Sequence, residues 1–237
     1  MKADRPKVLL EVAARPMVWW VVKACHDAGV DRCLVVVGEA DRLVRAALAD
    51  QEQCEFVVQD QPLGTGHATR AARDYFDDQP PRDVFVLAGD GPLIRAATLQ
   101  RLLQAHREQG AAATLATAVL DDPTGYGRVL RDSDGGFASI VEQKDATGPQ
   151  LQIREVNPSY YCFRSDRLFT ALTGLRNDNS QGEYYLTDVP AMIASQGDTV
   201  ALLDEVDAQD VLSINTPEQL AEVDAILRRR LCGVAES

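Results

Sequence analysis

The chain has 237 residues, 46% hydrophobic and 25% charged, which is the composition of an ordinary soluble globular protein that can bury a core. Its formal net charge of −12 argues against nucleic acid as a partner, because binding to a phosphate backbone needs clustered Lys and Arg. The longest apolar run near the N-terminus, residues 17–22, is too short to span a membrane, so we expect neither a signal peptide nor a membrane partner.

The first half of the chain alternates helical and strand patterns. The spacing of apolar residues predicts helices at about 17–28, 39–48, 67–76 and 99–106. Short apolar runs between these helices predict strands at 33–37, 55–58, 84–87 and 113–120. Strands that alternate with helices are typical of a mostly parallel sheet that lies between helices, so we expect an α/β fold.

The second half is predicted to be more antiparallel. Runs at 128–130 and 137–141 flank an Asp-Ser-Asp-Gly-Gly turn and predict a β-hairpin. Further patterns predict strands at 156–163 and 200–203, and a helix at 187–193. Because the chain shows no internal repeat and no low-complexity linker, we expect residues 1–237 to form a single domain.

A helix is predicted at the C-terminal end. Thr216, Pro217 and Gln219 have the spacing of an N-terminal capping box with proline in the first turn. The apolar face of this helix carries Leu220, Val223, Ile226 and Leu227. Three arginines at 228–230 then fall where cations favour the helix dipole, which explains them without a ligand.

The predicted strand at 84–87 leads into the turn Ala-Gly-Asp-Gly-Pro, which contains Asp90. Ligands of open α/β sheets bind at the carboxyl ends of the strands, where a carboxylate can hold Mg²⁺ against phosphate oxygens. Taken alone, the segment is equally compatible with simple turn chemistry.

A second turn at the same predicted edge begins with Gln59 and continues through Leu-Gly-Thr-Gly-His-Ala at 63–68. Glycines allow a planar ligand to approach the backbone closely, and the Gln59 amide offers both a donor and an acceptor to a base. The alternative is a plain strand-to-helix turn in which Thr65 caps the following helix.

Six motifs follow one another along the chain: Pro-Lys-Val-Leu at 6–9, Gln59 with 63–68, Ala-Gly-Asp-Gly-Pro-Leu at 88–93, and the segments 121–128, 141–147 and 181–188. In this order and spacing they resemble one enzyme family, the pyrophosphorylase domain of bacterial N-acetylglucosamine-1-phosphate uridylyltransferase. The resemblance covers nearly the whole chain.

The resemblance implies a Rossmann-like nucleotide-diphospho-sugar transferase fold and the joining of UTP to N-acetylglucosamine 1-phosphate, which gives UDP-N-acetylglucosamine and pyrophosphate. By position, Lys7 would face the phosphates, and Asp90 and Asn215 would hold Mg²⁺. The remaining positions implied to bind substrate are Gln59, Gly64 and Thr65 at the uracil, Gly127, Glu142 and Asn157 at the sugar hydroxyls and ribose, Tyr185 at the acetamido side, and Thr187 near the sugar phosphate.

The chemistry of this reaction suits a site without a general base. A phosphate monoester is already an anionic nucleophile at neutral pH, so the reaction needs two anions aligned and their charge offset. His26 and His106 are accordingly interpreted as helical-face residues and His67 as a helix-start residue. Glu142 keeps the alternative of a solvated charge at a strand end, and Tyr185 that of a core aromatic.

The chain departs from the family in three places. The family's first strand and its glycine-rich phosphate loop would precede the Pro-Lys segment, but here the chain starts at Met1. A start codon placed too late and a remnant without turnover are both open explanations.

The second departure is Asn157-Pro158-Ser159, where the family commonly has a small residue and glycine after the asparagine. The third is the end at Ser237, from which we expect no β-helix acetyltransferase domain.

Two further expectations concern location and function class. Five widely spaced cysteines without a Cys-x-x-Cys pair speak against a disulfide framework or a zinc site, and a reducing cytoplasm fits them best. The alternatives to the uridylyltransferase are a nucleotidyltransferase for another sugar 1-phosphate, such as glucose 1-phosphate, and a non-catalytic module that binds nucleotide sugars. The sequence does not indicate an oligomeric state.

Overall fold

A computed structural model describes residues 6–38, 41–204 and 206–233 of the protein. The strands are β1 (Glu11–Val12), β2 (Arg15–Pro16), β3 (Cys33–Val37), β4 (Cys54–Val58), β5 (Asp83–Leu87), β6 (Ala113–Ala116), β7 (Ala118–Val119), β8 (Gly127–Arg131), β9 (Phe137–Val141), β10 (Glu155–Asn157), β11 (Tyr160–Arg164) and β12 (Val200–Leu203). The α-helices are α1 (Met17–Asp27), α2 (Asp41–Ala47), α3 (Thr65–Arg70), α4 (Ala96–Glu108), α5 (Gly148–Leu151), α6 (Ser165–Thr173), α7 (Val189–Ser195) and α8 (Pro217–Leu231).

The central sheet is mixed and has the strand order β12-β6-β11-β5. Strands β5 and β6 both pair antiparallel with β11, and β12 pairs parallel with β6, so three of these strands run in one direction. Strands β3 and β4 form a separate parallel pair. The arrangement confirms the predicted α/β class. Among the described residues, β3 pairs only with β4 and β5 only with β11, so each has one edge without a strand partner.

A second sheet, with the order β7-β10-β8-β9, is entirely antiparallel. It contains the predicted hairpin, in which Arg128 lies opposite Val141. The single strand predicted at 156–163 is instead two strands, β10 and β11, which belong to different sheets. Pro158 has no N–H to donate and Ser159 has a φ of +63°, so the chain turns between the two sheets at this point.

The core lies on both faces of the central sheet. Tyr160 and Cys162 of β11 belong to one buried cluster, and Tyr161 and Phe163 belong to another on the opposite face. Successive side chains of a strand point to opposite faces, so a strand covered on both sides reads as a continuous apolar run. This explains why the Tyr-Tyr-Cys-Phe run forms the middle of the sheet.

Several predicted elements are present with altered bounds. The strand predicted at 113–120 is divided into β6 and β7, and the helix predicted at 67–76 is α3 followed by a 3₁₀ turn, Arg73–Tyr75. The helix predicted at 187–193 begins as a 3₁₀ turn, Leu186–Asp188, before α7. Positions 39 and 40 of the predicted helix 39–48 lie outside the described residues, as do Met1 and Ser237.

The C-terminal helix α8 has the predicted cap. The Thr216 side chain accepts from the backbone N–H of Gln219, and the Gln219 side chain accepts from that of Thr216. The helix buries Val223, Ile226 and Leu227 in one cluster with Val12 of β1 and Met17 of α1. None of the helices in the described part of the chain combines the length and apolar character that crossing a membrane requires.

Candidate active site

Lys7, Asp90 and Asn215 come together from three distant parts of the chain. Lys7 lies in a 3₁₀ turn before β1, Asp90 follows β5, and Asn215 precedes α8. The Lys7 Nζ atom lies 2.6 Å from Asp90 Oδ2 and donates a hydrogen bond of 2.9 Å to Asn215 Oδ1. Two hard oxygen acceptors therefore converge on one cationic group. We call these three residues the phosphate side of the site.

Asn215 is oriented by neighbours on both sides. Its backbone N–H donates to Gln219 Oε1 at 2.7 Å, and its Nδ2 donates to Ser213 Oγ at 3.3 Å. The Tyr126 hydroxyl accepts from the Ser213 N–H at 2.8 Å and donates to the Val211 carbonyl at 3.0 Å. The Tyr126 hydroxyl therefore fixes the segment that leads to Asn215.

Arg128 supports the turn that carries Tyr126. Its guanidinium is almost fully buried, donates to the Tyr126 carbonyl, and also donates to Gln143 Oε1 at 3.2 Å. The same Gln143 oxygen accepts from the Gly125 N–H. Burial lowers the pKa of Arg128, although neighbouring Asp122 acts in the opposite direction. These contacts fix the 125–128 segment between the phosphate side and the second sheet.

The turn after β4 brings Gln59 and Gly64 together. The Gln59 Nε2 atom donates to the Gly64 carbonyl at 3.3 Å and lies 2.8 Å from Nδ1 of His67. Gly64 has a φ of +107°, and a Cβ at this position would lie 2.7 Å from the Tyr184 carbonyl oxygen. Only glycine fits there, because the backbone of Tyr184, in the motif at 181–188, packs directly against it.

Thr65 does not cap helix α3, so the alternative considered for this turn is wrong in that respect. Gly64 occupies the N-cap position, and the helix shows no side-chain cap. The Thr65 hydroxyl instead accepts from the backbone N–H of Leu186 at 3.0 Å. It therefore ties the Gln59 turn to the segment that carries Tyr185 and Thr187.

Gly127, Glu142, Asn157 and Thr187 gather at the end of the second sheet, and we call them the sugar side. Thr187 Oγ1 donates to Glu142 Oε1 at 3.0 Å, and a Cβ on Gly127 would lie 3.7 Å from Glu142 Oε2. Burial raises the pKa of Glu142, and the nearby carboxylates of Asp188, Asp145 and Glu183 raise it further. The alternative of a solvated charge is therefore wrong for Glu142.

Asn157 lies opposite Gly127 in the β10–β8 pairing and is 4% exposed. Its Nδ2 donates to the Tyr161 hydroxyl at 2.6 Å, and its Oδ1 accepts from the Ser159 N–H at 3.2 Å. Ser159 adopts the positive φ that a glycine takes readily, so the departure from the family's small-residue and glycine pattern does not prevent this turn. The Ser159 carbonyl accepts from the Ala88 N–H, which links the turn to the strand before Asp90.

Tyr185 is buried next to the sugar side. Its hydroxyl donates to Asp145 Oδ2 at 3.3 Å, and burial together with that carboxylate raises the pKa of Tyr185 to about 12. The side chain thus has the packing of the core aromatic considered as an alternative. A contact with the acetamido group of a ligand stays a prediction.

The donor set of the phosphate side suits Mg²⁺ better than a transition metal. Among residues 6–38, 41–204 and 206–233, no group of three or more His, Cys, Asp or Glu could hold a metal ion. One carboxylate and one amide oxygen are nevertheless a sufficient protein contribution for Mg²⁺, which keeps waters and binds substrate phosphates at its other positions. The residues present therefore fit the metal implied by the resemblance.

Reasoning from the sequence missed three residues that act around the site. Tyr126 and Ser213 orient Asn215, and His67 contacts the Gln59 amide. Tyr126 and His67 lie inside the motifs at 121–128 and 63–68, which was the only available signal. His106, by contrast, is a structural residue, since it is 2% exposed on α4 and its Nδ1 lies 2.8 Å from Thr114 Oγ1.

The sequence matches the family model described as the MobA-like NTP transferase domain over residues 1–188. Three similar relatives are all named bifunctional protein GlmU. The protein from Heliobacterium modesticaldum is 46% identical over 231 residues, which cover 98% of this chain and 50% of the relative. The protein from Geobacter metallireducens is 43% identical over 231 residues, with 98% and 48% covered, and that from Syntrophomonas wolfei is 39% identical over 230 residues, with 97% and 51% covered.

The chain therefore spans about half the length of the curated relatives it matches. The similarity confirms the resemblance and the Rossmann-like nucleotide-diphospho-sugar transferase fold predicted from the motifs. It does not test the role of any single residue, and the assignments at the phosphate and sugar sides stay predictions.

Proposed function

Because the chain belongs to the MobA-like NTP transferase domain family, we propose that it is a uridylyltransferase. It joins UTP to N-acetylglucosamine 1-phosphate and gives UDP-N-acetylglucosamine and pyrophosphate. The observation that carries the proposal is the convergence of the Asp90 and Asn215 oxygens on the ammonium group of Lys7. A site that aligns two anionic substrates needs a cationic side chain to offset their repulsion and oxygen ligands that can hold a metal ion beside it.

Lys7 acts on the phosphates. Its side chain is 40% exposed, so its donors can reach an incoming ligand without disturbing the core. The attacking phosphate oxygen of the sugar phosphate is already charged, so the side chains need only offset its repulsion from the triphosphate and hold the two groups in line. This explains why the reaction needs no general base beside Lys7, and why the Asp90 carboxylate there can serve as a metal ligand instead.

We propose that Asp90 and Asn215 hold Mg²⁺. The ion supplies charge neutralisation at the phosphate oxygens when it is bound. Asn215 contributes a neutral oxygen whose direction is set by Ser213 and Gln219, whereas Asp90 contributes the negative charge. Because Asp90 is the one carboxylate of the phosphate side, these residues would leave a bound Mg²⁺ with a net positive charge to offset that of the phosphates.

The base and the sugar occupy opposite ends of the same crevice in this proposal. Gln59, Gly64 and Thr65 contact uracil at the turn after β4, which the backbone of Tyr184 packs against at Gly64. The sugar side then receives N-acetylglucosamine 1-phosphate, with Glu142 accepting from its hydroxyls. The hydrogen bond that the Leu186 N–H donates to the Thr65 hydroxyl supports this arrangement, since it joins the two ends.

The test is pyrophosphate release from UTP with N-acetylglucosamine 1-phosphate or glucose 1-phosphate as the second substrate. We expect faster release with the N-acetylated sugar, complete loss after chelation by EDTA, and recovery on addition of Mg²⁺. Asp90→Asn should weaken the response to Mg²⁺. Asp134→Asn, in the exposed turn between β8 and β9, is the matched control and should leave it unchanged.

Two outcomes would contradict the proposal in different ways. Equal or faster release with glucose 1-phosphate would assign the site to another sugar. Binding of UDP-N-acetylglucosamine in calorimetry without any turnover in either direction would support a non-catalytic module.

We further propose that residues 1–237 work as one nucleotidyltransferase domain in the cytoplasm. The five cysteines, which are all free, support a reducing location because disulfides are rare there. Its partners are UTP and the sugar 1-phosphate.

A further inference from the structure

We propose that His67 is a positioning residue that fixes the orientation of the Gln59 amide and thereby selects uracil over cytosine. The inference rests on the proposed function, in which Gln59 reads the base. It assigns a role to a side chain that the reaction itself does not require.

The Gly64 carbonyl decides which end of the Gln59 amide faces the turn. A carbonyl oxygen can only accept, so the group 3.3 Å from it must be the amide nitrogen rather than the amide oxygen. The same nitrogen lies 2.8 Å from Nδ1 of His67. His67 Nδ1 therefore accepts the second hydrogen, and the imidazole proton lies on Nε2.

Both hydrogens of the Gln59 amide are consequently used inside the protein. The Gln59 group left for a ligand is the carbonyl oxygen Oε1, which can only accept. Uracil presents a donor, N3–H, at its Watson–Crick edge, whereas cytosine presents an unprotonated N3 and would face Oε1 with a lone pair. The fixed amide therefore favours uracil by attraction and rejects cytosine by repulsion.

The imidazole is itself held in place. His67 lies in the first turn of α3, and its ring centroid is 6.3 Å from that of Tyr184. The preceding Gly66 donates its N–H to the Tyr184 carbonyl at 2.8 Å, so the start of the helix cannot shift away from this segment. A rigid acceptor is what an orienting role demands, because a mobile one would let the amide rotate by 180°.

The experiment compares His67→Leu with His67→Asn. Leucine removes the acceptor, whereas the asparagine side-chain oxygen can take the place of Nδ1. The readout is the ratio of kcat/KM for UTP to that for CTP, with N-acetylglucosamine 1-phosphate as the second substrate. We expect the ratio to fall by about tenfold or more in His67→Leu, which is the factor that one fixed hydrogen bond provides, and to stay within about threefold of wild type in His67→Asn.

A purely structural role for His67 would lower both kcat/KM values by one factor and leave the ratio unchanged in both variants, which would overturn the proposal. Melting temperatures of both variants show whether they fold. If His67→Leu does not fold, an unchanged ratio in a folded His67→Phe variant would overturn the proposal equally.

Failure of the proposed function has a different signature. If the wild-type chain turns over neither nucleotide, the inference is tested by calorimetric binding of UDP and CDP. A preference for UDP that is lost in His67→Leu and kept in His67→Asn supports the role of His67 even then. A wild-type chain that binds UDP and CDP equally overturns it.

Discussion

The phosphate side and the sugar side of the site are built in opposite ways. The phosphate side is exposed and ionic, with the Lys7 and Asp90 side chains 40% and 29% accessible to solvent. The sugar side is buried, and its Asn157 and Thr187 are only 4% and 5% exposed and engaged in hydrogen bonds. The charged groups of the phosphate side are therefore accessible to a ligand, whereas the polar groups of the sugar side are buried and already hydrogen-bonded within the protein.

This difference in burial predicts how substitutions on each side affect activity and the free energy of unfolding. An exposed ion pair contributes about 0–1 kcal/mol to folding, because water solvates both partners in the unfolded and folded states. A buried polar group contributes through the penalty of leaving its partner unsatisfied, about 1–3 kcal/mol. Substitutions on the phosphate side should therefore change activity at nearly constant stability, and substitutions on the sugar side should change both.

The largest effect is expected at Asp210, a buried carboxylate in the segment that leads to Asn215 of the phosphate side. Asp210 is 1% exposed, accepts from Arg95 Nε at 2.8 Å and from Thr98 Oγ1 at 3.0 Å, and lies 3.0 Å from Arg230. Removing one partner of a buried ion pair costs about 3–5 kcal/mol, so we expect Asp210→Ala to lower the free energy of unfolding by about 3 kcal/mol.

Because Asp210 anchors the segment that leads to Asn215, the Asp210→Ala variant should also need more Mg²⁺ for half-maximal activity. Urea unfolding and Mg²⁺ titration measure the two effects. Asp207→Ala, on the same segment but exposed, is the control. Equal losses of stability in both variants would contradict the anchoring role.

Lys7→Met should show the activity effect alone. We expect kcat/KM to fall about 10²–10³-fold, the usual consequence of removing one group that stabilises developing charge. The melting temperature should stay within about 2 °C, since the lost ion pair is exposed. Lys23→Met removes a comparable exposed pair with Asp27 on α1 and should change neither quantity. A large loss of stability in Lys7→Met would break the comparison.

Asn157→Ala tests the opposite side. The Tyr161 hydroxyl would lose a donor in a place where Tyr161 is 1% exposed, and the Ser159 N–H would lose its acceptor. We expect a loss of about 1–3 kcal/mol in the free energy of unfolding, together with a higher KM for the sugar phosphate. Tyr161→Phe removes the hydroxyl instead of its partner and should restore part of the stability in the double variant, because the buried Tyr161 hydroxyl is then no longer left without a partner.

Glu142→Gln should stabilise the protein while reducing its activity. Burial raises the pKa of Glu142 above its ordinary value of 4.5, so the charged form is disfavoured in the folded state. The folded state then binds more protons than the unfolded state, and stability is lost as the pH rises through the interval between the two pKa values. The neutral amide avoids that loss.

We therefore expect Glu142→Gln to raise the free energy of unfolding at pH 7.5 by about 0.5–2 kcal/mol, the range of single stabilising substitutions. The gain should vanish below pH 4.5, where the carboxyl is protonated in both states. Urea unfolding at pH 4 and pH 7.5 measures it. A gain that is independent of pH would show that packing rather than charge is responsible.

The sequence predicted the order of the elements better than it predicted how they pack together. Apolar periodicity located β3, β5 and α8, because these elements bury a regular face. It joined β10 to β11, since a run of apolar residues does not reveal that the chain passes from one sheet to another.

The contacts of His67 and Tyr126 were not predictable for a physical reason. His67 contacts Gln59 across a turn, and Tyr126 contacts a residue that is distant in the sequence. Hydrophobic periodicity predicts helices and strands, but it does not predict which side chains meet in this way. Tyr126 contacts Ser213, 87 residues away, only once the second sheet has folded against the segment before α8. The motifs therefore predicted which residues form the candidate site, and only the tertiary structure showed the side chains that orient them.

The smallest effect concerns the hairpin that follows Lys7. Ala13 and Ala14 link β1 to β2 with φ values of +48° and +64°, a left-handed conformation that costs an alanine about 1–2 kcal/mol. Ala14→Gly should recover about 1 kcal/mol of this strain in urea unfolding without altering kcat/KM, because the turn lies outside both sides of the site. Ala105→Gly, inside α4, should instead cost about 1 kcal/mol through helix propensity. If both glycines destabilised the protein equally, the strain would not lie in the turn, and the stability of the segment that carries Lys7 would depend on its burial alone.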